Sequence, residues 1–154
     1  MDDTTIFDDD LYRQIIIDHY QHPHHQGALD CPTHHLEGFN ASCGDNLELE
    51  LKIEDGKVAD IGFVGSGCAI SMTSASMLTD LILGKSVEEA KKITDAFKAR
   101  LLGQDETVSQ DDVDLGELEA LDGVKAYPVR IKCALLSWNT LMEGLEHPEG
   151  LIMQ

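Results

Sequence analysis

Basic residues are scarce in this 154-residue chain: 11 Lys and Arg stand against 29 Asp and Glu, a net charge of −18 at pH 7. Such a field repels phosphate backbones and anionic membrane surfaces, so neither nucleic acid nor a membrane is an expected partner. A basic protein face or a metal cation suits it better. Aromatic residues make up only 5% and Trp occurs once, so any core must be mainly aliphatic. No apolar run approaches the roughly 18–20 residues of a membrane helix. Met1-Asp2-Asp3 is acidic where a secretory leader is basic, which predicts a cytoplasmic protein. Cysteines number four. In a reducing compartment such thiols are ligands or nucleophiles more often than disulfides.

Hydrophobic residues reach 42%, near the globular norm, and the length suits one core, so residues 1–154 are expected to form a single domain. Asp8, Asp9 and Asp10 offer caps for a first helix in which Leu11, Ile15, Ile16 and His19 recur until Pro23. The stretch HPHHQGALDCPTHH has no period and reads as a loop. LELELKI, from Leu47 to Ile53, alternates strictly; Asp55-Gly56 is a hairpin signal, and KVADIGFV follows as the second strand. After Cys68 the apolar spacing becomes helical and ends at Gly84, and Ser86 with Glu89 marks a capping box for another helix. Residues 104–122 carry eight acids and no base, with Leu115, Leu118 and Leu121 as a small apolar motif. This is expected to be an exposed insertion holding one short helix. A last helix follows Pro128, and the residues after Pro148 are expected to fray. Helix, strands, then several helices predict an α+β fold.

Three cysteines fall at element ends. Cys43 precedes the first strand and Cys68 follows the second, and a hairpin returns the chain so that the two can meet. Cys68 also opens a helix, where the dipole favours a thiolate. Cys133 is placed in the first turn of the last helix within RIKCA, where Arg130 and Lys132 favour its thiolate too. With Asp45 these make three thiolates and a carboxylate, a set suited to tetrahedral zinc. The separations match no short zinc-finger pattern, so buried structural cysteines remain the alternative. Loop histidines His22, His24, His25, His34 and His35 read as solvated, and Cys31 as a surface thiol. Hydroxyls at Ser71, Thr73, Ser74, Ser76 and Thr79 read as close helix packing plus a solvated face.

Four segments, LYRQIIIDHYQHP, ASCGDNLELEL, GSGCAISMTSASMLTDLILGKS and AYPVRIKCALLSW, together resemble the IscU/NifU-N-like iron–sulfur cluster assembly family, and within it the SufU type. The resemblance implies a small antiparallel sheet of about three strands covered by several helices, with three cysteines converging on its edge. It implies Cys43, Asp45, Cys68 and Cys133 as metal ligands. Lys132 stands where the scaffold type has histidine, and the acidic insertion at about 104–122 is absent from that type; both are features of the SufU type.

That type implies a zinc-dependent sulfurtransferase taking persulfide sulfur from a pyridoxal-phosphate-dependent cysteine desulfurase of the SufS type, with iron–sulfur scaffold proteins downstream. A partner histidine is implied to take over a zinc position and free the cysteine matching Cys43, the sulfur acceptor, with Arg130 as a docking or thiolate-stabilising residue. Two other readings stay open: a scaffold building a labile [2Fe–2S] cluster on the same cysteines, since thiolates hold both, and a structural zinc module.

Overall fold

A computed structural model describes residues 10–103, 113–146 and 151–152. Helix α1 (Asp10–Gln21) leads to strands β1 (His34–Asn40), β2 (Asp45–Glu54) and β3 (Lys57–Ser66), then α2 (Ala69–Ile82) and α3 (Val87–Leu101). A 3-10 segment (Gly116–Ala126), α4 (Pro128–Leu145) and a two-residue β4 (Leu151–Ile152) complete the order. The sheet runs β3-β2-β1-β4, antiparallel except for the β1/β4 pair. This is the α+β architecture expected.

The β2–β3 hairpin follows from strict alternation: Leu47, Leu49 and Leu51 point into the core, and Asp55 and Gly56 both take positive φ (52° and 75°), the backbone of a tight hairpin turn. The capping box forms as read, with Glu89 N–H donating to Ser86 Oγ and Ser86 N–H to Glu89 Oε1, both at 3.1 Å. Trp138 and Phe97 meet as tilted rings, centroids 5.4 Å apart, in a core that is otherwise mainly aliphatic apart from Phe63.

Several expectations are corrected. His34 and His35 are strand residues and not loop; β1 begins there because its inward positions are His34, Leu36, Gly38 and Asn40, a row with one large apolar side chain. A Cβ on Gly38 would collide with Thr140 Oγ1 and crowd Leu136, so α4 packs directly on that backbone. Of the residues expected to fray after Pro148, Leu151 and Ile152 instead pair with His34 and His35 at the sheet edge, and the others lie outside the described residues. In α1, Ile16 and His19 are buried, whereas Leu11 is exposed. Helix α2 has no solvated hydroxyl face: Ser71, Thr73, Ser74, Ser76 and Thr79 are all buried beneath α1, α4 and neighbouring elements. Thr73 donates its hydroxyl to Ile16 O (3.1 Å), Ser74 to Ala134 O (2.6 Å) and Thr79 to Ser76 O (2.7 Å), and Ser76 Oγ accepts the His24 N–H (2.8 Å). Of the segment expected to be exposed, residues 104–112 lie outside the described residues. Leu115, Leu118, Leu121 and Val124 are buried, and the Arg100 guanidinium grips both oxygens of Asp122 (2.7 and 2.6 Å). Among the described residues no helix is long and apolar enough to cross a membrane.

Candidate metal centre

The β1–β2 connection is a tight turn because the strands' last register pair is Asn40 with Asp45. Cys43 and Gly44 both donate backbone N–H groups to Asn40 O (3.3 and 2.9 Å), and Gly44 turns at φ 71°, a conformation glycine adopts without strain. Cys43 therefore hangs half-buried on the turn. Cys68 arrives from the far side of the hairpin, two residues beyond the Asn46–Ser66 pair, and caps α2 by accepting Ser71 N–H at Sγ (3.5 Å). Cys133 comes from α4 and is buried; it lies in the second helical turn and not the first, where its Sγ lies 3.6 Å from Val129 O.

Asp45 binds these pieces together. Its buried carboxylate accepts Cys68 N–H at Oδ1 (2.9 Å), and its Oδ2 lies 4.0 Å from Cys68 Sγ. Gly67 leaves room for it, since a Cβ there would collide with the carboxylate. The Cys133 thiol reaches Cys43 Sγ at 3.1 Å, and the donor atoms of Cys43, Asp45 and Cys133 all lie within 4.8 Å of one another. Arg130, one turn before Cys133, points Nη1 at Cys43 Sγ (4.0 Å). The structure thus brings Cys43, Asp45, Cys68, Cys133 and Arg130 together. Cys31 is exposed and joins none of the donor groups found among the described residues, and His34 is buried against Thr33 Oγ1 (2.7 Å).

Asn40 is the site residue that sequence reasoning missed. Its Nδ2 donates to Asp45 Oδ2 (3.3 Å) and to Cys133 Sγ (3.5 Å). The signal available was a polar residue directly before a turn bearing a cysteine, which does not by itself announce an inward side chain.

The thiols divide their protons unequally. The Cys68 thiol is lowered to about 7, first by the hydrogen bond from Cys133 and against the cost of burial, with help from the Ser71 N–H. Cys133 is raised, because it is the donor to Cys68, because it is buried and because it also faces Cys43. This corrects the expectation that Cys133 is predisposed to ionise: away from the first helical turn it has no free backbone N–H to accept. Three thiols and a carboxylate so close together cannot all be anionic without a cation among them. A tetrahedral ion with sulfur ligands at about 2.3 Å and an oxygen ligand at about 2.0–2.2 Å suits this donor set.

The family model described as the NifU-like N-terminal domain matches residues 11–134. The chain is 43% identical to the zinc-dependent sulfurtransferase SufU of Bacillus subtilis, over 92% of this chain and 94% of the relative. It is 42% identical to the iron–sulfur cluster assembly scaffold protein IscU of Streptococcus pyogenes, over 88% of this chain and 83% of the relative. A crystal structure from Fervidobacterium islandicum, described as a candidate iron–sulfur cluster assembly scaffold for the SUF system, superposes with a TM-score of 0.78 at 30% identity, covering 93% of this chain and 98% of the other.

Proposed function

Because the chain belongs to the NifU-like N-terminal domain family of iron–sulfur cluster assembly proteins, we propose that it is a zinc-dependent sulfur acceptor, taking persulfide sulfur from a cysteine desulfurase of the SufS type. The observation that carries this reading is a half-buried Cys43, on a turn beside the Arg130 guanidinium, within a cluster whose donors suit zinc. The likeness to a sulfurtransferase supports it, as does the exposed Lys132 where the scaffold type has a histidine. Unpaired thiols fit a reducing cytoplasm.

Cys43, Asp45, Cys68 and Cys133 would hold the ion. Zinc, when bound, keeps thiols deprotonated at neutral pH and mutes them as nucleophiles. Of the three cysteines, Cys68 caps α2 and Cys133 lies within α4, so displacing either disturbs a helix. Cys43 sits on a turn and can leave the cluster without breaking the β1–β2 ladder. Its thiolate attacks the outer sulfur of the donor's persulfide. A new sulfur–sulfur bond forms at Cys43, the donor's sulfur–sulfur bond breaks, and the donor cysteine departs as a thiolate, with no net oxidation. Arg130 steadies the negative charge on Cys43 before and after transfer.

The test is sulfur uptake from a desulfurase supplied with cysteine, read as persulfide on this chain by mass spectrometry. Wild-type protein should be persulfidated, and Cys43→Ser should not; undiminished uptake in that variant overturns the assignment. A second reading, favoured by the likeness to the streptococcal scaffold, is assembly of a labile [2Fe–2S] cluster as cargo on the same cysteines. Elemental analysis separates the two. One zinc per chain without visible absorption supports sulfur transfer, and a brown protein with iron and labile sulfide supports the scaffold.

A further inference from the structure

A second group of metal-binding side chains lies away from the thiols, where α1, the loop after it, α2 and the 3-10 segment meet. His19 is buried (2% exposed) and its ring is held at both nitrogens: Nε2 lies 2.8 Å from Glu117 Oε1 and Nδ1 2.7 Å from Ser76 Oγ. A carboxylate accepts only, which assigns the ring proton to Nε2 and leaves the Nδ1 lone pair facing Ser76. The His24 ring stands 4.5 Å from that of His19, its Nδ1 2.5 Å from Asp80 Oδ2, and its backbone N–H donates to the same Ser76 Oγ (2.8 Å). His25 Nε2 flanks the other Asp80 oxygen at 3.5 Å. Donor atoms of His19, His24 and Asp80 all lie within 4.8 Å of one another.

We propose that His19, His24 and Asp80 form a second metal site, for a first-row divalent cation that favours nitrogen and oxygen donors, such as iron(II), cobalt(II) or zinc. Two imidazoles and one carboxylate are the donor types of sites that keep positions open to water, and His24 and Asp80 are both more than a third exposed. Glu117 supplies what a ligating histidine needs behind it: a carboxylate accepting the distal ring N–H, which fixes the tautomer and aims the other nitrogen inward. Ligation requires only that the His24 ring carry its proton on Nε2 and not on Nδ1, that Asp80 exchange its hydrogen bond with that ring for the ion, and that the Ser76 hydroxyl rotate off His19. The same arrangement accounts for a buried histidine, a buried serine and an acidic residue of the 3-10 segment meeting at one point.

The test titrates cobalt(II) into full-length protein whose thiols have first been given one equivalent of zinc. One equivalent of cobalt should bind with weak ligand-field bands, no sulfur-to-cobalt charge transfer, and two hyperfine-shifted exchangeable imidazole N–H resonances. His24→Ala and Asp80→Asn, both at partly exposed positions, should each weaken binding at least tenfold at an unchanged melting temperature. Glu117→Gln, which alters the support and not a ligand, should weaken it about 10–100-fold. Cobalt that binds only with a sulfur charge-transfer band overturns the proposal. So does affinity unchanged in both ligand variants, or the absence of binding at millimolar cobalt.

Discussion

Asn40 and Asp45 close the β1–β2 turn as a register pair, and the Asn40 amide spans from the Asp45 carboxylate (3.3 Å) to the Cys133 thiol (3.5 Å). One side chain thereby ties the turn carrying Cys43 to the helix carrying Cys133. Removing it should loosen the donors more than the fold. Asn40→Ala is expected to lower zinc affinity about 10–100-fold, measured by chelator competition, with a loss of about 1 kcal/mol in unfolding free energy.

Gly67→Ala probes the same carboxylate by crowding it. The added Cβ meets Asp45 at the atom that accepts Cys68 N–H, so the carboxylate must swing out of place. Overpacking of this kind costs about 1–3 kcal/mol. Zinc affinity should fall further than in Asn40→Ala, and a variant that binds zinc like the wild type would show that Asp45 is not needed as a ligand.

Arg130→Gln keeps a polar, hydrogen-bonding side chain, two atoms shorter, but removes the charge 4.0 Å from Cys43 Sγ. The rate of persulfide transfer should drop about tenfold, equivalent to roughly 1.4 kcal/mol, while zinc content stays at the wild-type level. Loss of zinc together with rate would assign Arg130 a structural role in place of a chemical one.

His35 and Glu50 face each other across β1 and β2, with His35 Nδ1 2.8 Å from Glu50 Oε2. The hydrogen bond to Glu50 raises His35 against the cost of its burial, aided by the charges of Glu50, Glu48 and Glu37. Burial works to raise Glu50, but hydrogen bonds from His35 and from Leu29 N–H outweigh it and leave Glu50 lowered. A raised histidine contributes stability that is complete below its unfolded value of 6.5 and is lost as pH rises through its folded value. A lowered carboxylate contributes stability that is present above 4.5 and is lost as pH falls through its folded value. The pair therefore contributes most between about pH 4.5 and 6.5. Denaturant unfolding of wild type and His35→Gln should differ most in that window, by about 1 kcal/mol for a part-buried pair, and less at pH 8.

The hairpin, the helix opened by Cys68 and the capping box were legible because each is written locally, as alternation, a turn dipeptide or a cap. Strand β1 was not, because its inward row of His34, Leu36, Gly38 and Asn40 hides alternation behind polar and small residues whose burial is decided by α4. The 3-10 segment was half legible. Leu115, Leu118, Leu121 and Val124 recur every third residue, the period of a 3-10 helix, yet the acids between them give the stretch the composition of a solvated surface. The meeting of Cys43 with Cys68 could be anticipated from the returning hairpin. Cys133 is brought in by α4, a tertiary arrangement that no local pattern encodes.

The donors of the thiol cluster come from the β1–β2 turn, the start of α2 and the body of α4, so no fragment shorter than residues 43–133 contains them all. On a ribosome, the cluster can close only after α4 has emerged and docked, when most of the fold is already in place. A chain truncated before Cys133, or one that fails to pack α4 against β1, would lack a donor however well its hairpin formed. Metal capture at the proposed site would therefore act as a checkpoint for completed folding, and a metal-loaded population would be a quality-controlled one.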